Sequence, residues 1–177
     1  MTQTRALIEE ATKKSGLVWV RGAEAGTAAR ALWHVWHEGA LHLVGDGPGE
    51  QPLTGLGLAD GATASVTVRS KDKGGRLVEW TARVSELAPG GDAWTAAVAD
   101  LKGKRLNAPD ADRIEERWAR ECRVLRLEPS GETAELPEGS LAAAPVPTGA
   151  TTRRPVPAGL PKLLARGARK ARKARRR

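Results

Sequence analysis

The chain has 177 residues with no internal repeat, a length that suits one domain of ordinary size and a tail. Hydrophobic residues make up 40%, enough for a core; with no Phe and no Tyr, the six tryptophans must fill bulky core positions or line a pocket. The single cysteine, Cys122, rules out an intrachain disulfide and fits a reducing cytoplasm, and no apolar run approaches the roughly 18 residues that span a membrane.

The net charge of +8 is unevenly placed: residues 153–177 hold 11 of the 29 basic residues and none of the 21 acidic ones, leaving 18 − 21 = −3 for the rest. The basicity belongs to the end of the chain.

Residues 4–14 predict a helix with Leu7, Ile8 and Ala11 on one face and Glu9, Glu10, Lys13 and Lys14 solvated. They lack the apolar core of a signal peptide, and Gly16 ends the helix. Residues 17–20 read as a short apolar strand and 21–27 as a loop. Residues 29–45 predict a hairpin turning at Glu38-Gly39, in a register that pairs His37 with Ala40 and His34 with Leu43. One face then holds Leu32, His34, Trp36, Leu41 and Leu43. The other holds Trp33, Val35, His37, Ala40, His42 and Val44. Both are largely apolar, so the pair is expected between a barrel interior and a helix or partner subunit.

Residues 46–61 are rich in Gly and Pro, carry Leu53, Leu56 and Leu58, and connect to a second hairpin over residues 62–87. There Ala64, Val66 and Val68 alternate with Thr63, Ser65, Thr67 and Arg69. After a Gly74-Gly75 turn, Val78, Trp80, Ala82 and Val84 alternate with Glu79, Thr81 and Arg83. Strict period-two patterning sends one face to a core and the other to water or a ligand.

Residues 92–105 predict a helix with Trp94, Val98 and Leu101 on one stripe. Asp112-Arg113-Ile114-Glu115 has the form of a capping box and opens a helix through Arg120 with Ile114 and Trp118 inward. Residues 122–128 read as a last strand, ended by Pro129-Ser130-Gly131. Residues 130–159 have the composition of a Pro/Ala/Gly-rich linker, and 160–177 form a basic tail expected to be disordered. The predicted fold of residues 1–129 is mainly β with flanking helices: a small antiparallel barrel.

Arg69, Ser70 and Lys71 at the second hairpin's turn combine a bidentate guanidinium, a hydroxyl and a point charge, a set that holds a phosphate. The alternative is a solvated tip with Arg69 paired to Glu79 across the strands. His34, His37 and His42 fall two to one face and one to the other, too few for a metal without a carboxylate or thiolate; His34 is either a pocket residue or a structural one. Trp33, Trp36 and Trp80 are either stacking platforms or core. No nucleophile elbow, phosphate loop or carboxylate pair is present, so any enzymatic chemistry belongs to a cofactor. The tail suits non-specific contact with nucleic acid or an anionic surface.

The succession ARALWHVWHEGALHLVG, GDGPGEQPLTGL, ASVTVRSKDKGGRLVEWTARVSEL resembles the pyridoxamine 5'-phosphate oxidase-like, FMN-binding split barrels over residues 4–128. The resemblance implies an antiparallel split β-barrel homodimer that holds FMN, or a deazaflavin or haem, between subunits. It places Arg30 at the start of the second strand near the flavin, and makes Arg30, His34, Arg69, Ser70 and Lys71 the expected cofactor groove. It implies an oxidoreductase passing a hydride through the flavin; a non-catalytic barrel with a polyanion-binding tail is the alternative. The chain departs from the pattern at residues 47–51, GPGEQ, where the family's phosphate-gripping cations are absent and Glu50 would repel a phosphate.

Overall fold

A computed structural model describes residues 2–24, 26–70, 74–108 and 110–133. Helix α1 (Thr2–Lys14) precedes strands β1 (Val18–Gly22), β2 (Arg30–Leu32), β3 (Val35–His37), β4 (Ala40–Gly45), β5 (Thr63–Arg69) and β6 (Arg76–Glu86). Helices α2 (Asp92–Lys104) and α3 (Ile114–Glu121) and strand β7 (Arg123–Thr133) follow. All pairings are antiparallel, in the order β2-β1-β5-β6-β7-β4-β3.

The two edge strands of this sheet, β2 and β3, are consecutive in the chain, joined only by Trp33 and His34. Three Cα–Cα steps span at most about 11 Å, so the sheet must curl until its edges nearly meet. The result is an antiparallel split barrel. At the seam Gln51 stands in for a missing strand: its side chain accepts from Trp33 N–H and donates to Trp33 C=O, both at 2.9 Å.

The second hairpin forms with the expected alternation of faces, in a register that sets Val66 opposite Trp80 and Val68 opposite Val78. The first does so in part. His37 pairs with Ala40 across a turn in which Glu38 and Gly39 both have positive φ, as a type I′ turn requires. His34 does not pair with Leu43, because β2 leaves to pair with β1 at the far edge. The predicted faces survive this exchange of partners. Leu32, Leu41 and Leu43 line the barrel with Val20, Val66 and Leu127, and Trp36 meets Trp80 edge-on at 6.1 Å. Val35 and Val44 face outward onto Trp94, Val98, Leu101, Ile114 and Trp118 of α2 and α3. The covering layer on that side is helical. Leu53, Leu56 and Leu58 from the long loop also enter the barrel core.

Three local expectations are corrected. Ile8 is buried and Ala11 packs behind it, but Leu7 is 54% exposed. The capping box does not form: Arg113 is the N-cap of α3 without a side-chain bond, and the Asp110 carboxylate instead grips Arg117 at 2.7 Å. The last strand runs through Pro129 to Thr133, because a register shift between Trp80 and Ala82 places Pro129 at an irregularity where its missing N–H is tolerated. The linker from residue 134 and the basic tail lie outside the described residues.

Candidate functional site

Period-two alternation sends Val18, Val20, Val66 and Val68 into the barrel and Trp19, Arg21, Ser65, Thr67 and Arg69 outward. Register places Trp19 beside Thr67 and Thr67 beside Glu79. Glu79 is thus opposite Thr67 and not Arg69, and an irregularity between Val68 and Arg69 sets Arg69 opposite Arg76 rather than Leu77. The Glu79 carboxylate is taken by Ser65 at 2.8 Å, Arg76 at 2.7 Å and Arg21 at 3.6 Å. Burial alone would raise its pKa, but the hydrogen bonds from Ser65 and Arg76 outweigh burial and hold it below the usual range.

The expected Arg69–Glu79 pair is therefore absent. Arg69 makes no ion pair among the described residues. Its guanidinium carbon lies 5.0 Å from the centre of the Trp19 ring, a cation–π contact on an exposed sheet face. Ser70 follows in the turn, where its N–H donates to Gly75 C=O and its C=O accepts from Gly74 N–H. Lys71 lies outside the described residues. Trp19 was missed in the sequence because 17–20 reads as a plain apolar run. The signal was available, since Trp19 shares the parity of Arg21.

The other two candidate groove residues sit apart from this pair. Arg30 donates to the carbonyls of Pro52 (2.7 Å) and Thr54 (3.1 Å), tying the long loop to the sheet edge. His34 is buried in the β2–β3 link with Nε2 3.0 Å from Thr12 C=O. A carbonyl only accepts, so Nε2 carries the proton and donates. Burial pushes the His34 pKa down to about 4, so the ring is neutral at pH 7.

Among the described residues His42 Nδ1, Trp36 Nε1 and Trp80 Nε1 are buried without a hydrogen-bond partner. His42 is buried, and burial with the nearby Arg126 charge takes its pKa to about 4. His37 Nδ1 is 2.8 Å from Asp100. No set of three metal-binding side chains occurs among the described residues. Burial pushes the Cys122 thiol up to about 11, the direction opposite to activation. A cleft of about 630 Å³ at the barrel end is lined by Glu24, Asp46, Thr54 and Arg123. Arg123 is neutralised there by Glu86 at 2.8 Å and Asp46 at 3.6 Å, leaving no cation for a phosphate.

The GPGEQ loop is locked to the helical layer. Glu50, whose side chain is fully buried, accepts from Arg105 Nε, Arg117 Nη2 and Trp118 Nε1, each at 3.0 Å. The Gly49 and Pro48 carbonyls accept from the same two arginines at 2.8 Å. A buried carboxylate facing two guanidiniums is a structural anchor, and it leaves this loop unsuited to an anionic ligand.

No family model and no curated protein matches the chain. Solved structures do. The heme storage protein HutZ from Vibrio cholerae superposes with a TM-score of 0.52 at 12% identity, over 74% of this chain and 93% of that one. A pyridoxamine 5'-phosphate oxidase candidate from Listeria innocua gives 0.47 at 11% identity (72% and 94%), and an FAD-binding protein from Mesorhizobium loti 0.45 at 14% (72% and 92%). The similarity to HutZ, at an identity that speaks to fold alone, agrees with the curled seven-stranded sheet: the chain has the split-barrel fold that its hairpin pattern resembles.

Proposed function

We propose that this chain is a flavin-binding oxidoreductase of the pyridoxamine 5'-phosphate oxidase-like group, working as a homodimer with FMN held at Arg69, Ser70 and Lys71. One observation carries the proposal. Arg69 makes no ion pair among the described residues and is laid on the Trp19 indole on an exposed face of a split barrel. A guanidinium in that state is ready for bidentate contact with a phosphate, and an indole edge or face suits a planar ring. The flavin, when bound, supplies the hydride chemistry. The chain's own residues bind and orient it. Haem suits the residues less well, since His34 and His42 are buried and His37 is engaged by Asp100.

A second reading is favoured by Glu50: a non-catalytic barrel that has lost its cofactor and meets polyanions through its 153–177 segment, where 11 cations lie. The anchored GPGEQ loop has no cation to offer a phosphate.

Titration of the full chain with FMN, followed by flavin absorbance and Trp fluorescence, separates the two. Saturable binding that Arg69→Ala weakens by roughly 10-fold or more, the worth of a charge-assisted bond, supports the flavin protein. No binding at about 100 μM FMN, a Kd limit weaker than ~−5.5 kcal/mol, overturns it, and a heparin or single-stranded DNA titration then tests the second reading.

A further inference from the structure

A niche of about 340 Å³ lies where the end of α1, the Trp33-His34 link and the end of α2 come together. Its walls include Gly16, the partly buried Trp33 and Leu106. Leu106 is 74% exposed, more than any other large apolar residue described. His34 closes one side, a neutral ring fixed by the Thr12 carbonyl.

Charge at the niche comes from two neighbours in different states. Arg105 is committed to Glu50, Gly49 C=O and Leu106 C=O, so it builds the wall. Lys104 is exposed and makes no ion pair among the described residues, whereas Lys102, two positions earlier, is held by Glu115 at 2.8 Å. An apolar recess with an indole on one side and a single available ammonium asks for a ligand with a flat apolar body and one anionic end. Its volume lies at the lower end of the roughly 300–1,000 Å³ range of ligand pockets, which suits one or two fused rings and excludes a dinucleotide.

We propose that this niche binds a small planar aromatic carboxylate, its ring against Trp33 and Leu106 and its carboxylate on the Lys104 ammonium. The site is separate from the Arg69–Trp19 face and does not depend on flavin binding.

The test is calorimetric titration of the full chain with 2-naphthoate, with neutral 2-naphthalenemethanol and acetate as controls. Naphthoate is expected to bind saturably with a Kd below about 1 mM, a modest affinity for so few contacts, and acetate not to bind. Lys104→Gln is expected to weaken naphthoate about tenfold, the effect of removing a charge-assisted partner, and to leave the alcohol unchanged. Leu106→Asp, at an exposed position that tolerates it, is expected to abolish naphthoate binding. The proposal is overturned by absence of saturable binding, by equal weakening of acid and alcohol in Lys104→Gln, or by naphthoate binding that neither variant changes.

Discussion

Glu50→Ala is expected to destabilise the domain by about 3 kcal/mol, although Glu50 touches no proposed ligand. Removing one partner of a buried ion pair costs roughly 3–5 kcal/mol, because the charge left behind is uncompensated. Here two guanidiniums and an indole N–H are left behind, with the arginine side chains 21% and 13% exposed and Glu50 fully buried. Two features pull the cost to the low end. Arg117 keeps Asp110 at 2.7 Å and Pro48 C=O, and Arg105 keeps Gly49 C=O and Leu106 C=O. Trp118 Nε1 keeps no acceptor among the described residues, and a buried unsatisfied donor costs about 1–3 kcal/mol. Urea unfolding followed by Trp fluorescence reads the change as a lower midpoint at constant slope. Thermal unfolding reads it as a drop on the order of 10 °C for a domain of this size. Glu50→Ala combined with Arg117→Met should cost clearly less than the two single changes added, since the residues share one bond network. A loss under about 1 kcal/mol, or strict additivity, would refute the anchoring role.

Two further outcomes follow from burial and packing. The His34 and His42 pKa values stand at about 4 in the folded chain against 6.5 when exposed. Between those values the unfolded state binds more protons, so stability falls as pH drops from 6.5 towards 4, by at most about 3 kcal/mol per histidine; unfolding midpoints at pH 7 and pH 5 check this, and a His34→Gln variant should flatten the dependence. Gly22→Ala should cost about 2 kcal/mol through overpacking, because its Cβ would stand 2.3 Å from the Leu56 carbonyl that Gly22 N–H already meets at 2.7 Å; an unchanged urea midpoint would show that the loop yields freely.

Much of the barrel is legible in the alternation of single residues. Val66, Val68, Val78 and Trp80 are placed on one inward face by their alternation, and that face forms, whereas the pairing register is not fixed by it, since a slip of two residues keeps the same face. The passage from β2 to β3 was illegible for the same reason. Parity runs unbroken from Leu32 to Trp36, so periodicity gives no sign that the chain changes partner strands at Trp33-His34. Faces were therefore right where pairing was wrong. The site divides similarly. That Trp19 and Arg69 point outward follows from strand parity, but their contact rests on the β1–β5 pairing, and Glu50 meets Arg105 and Arg117 across 55 and 67 residues, distances at which no local pattern reports.

That long-range lock decides where a phosphate can go. Two arginines and an indole N–H converging on one carboxylate form an anion site, and Glu50 fills it from within the chain. If FMN used those arginines, neutralising Glu50 would release them, and Glu50→Gln would tighten FMN binding. If FMN uses Arg69, which lies on the outward face of β5 and shares no hydrogen bond with this network, Glu50→Gln should leave the FMN affinity within about twofold, since sites without shared partners behave additively. Glu50→Gln retains a side-chain oxygen for one of the three donors, so it is the gentler variant for this comparison. Tighter binding in Glu50→Gln, with Arg69→Ala inert, would move the phosphate to the helical layer and make the GPGEQ loop an occupant of its own site. Unchanged binding in Glu50→Gln together with loss in Arg69→Ala supports the view that this chain has turned the loop into an anchor and kept its anion contact on the open face of the sheet.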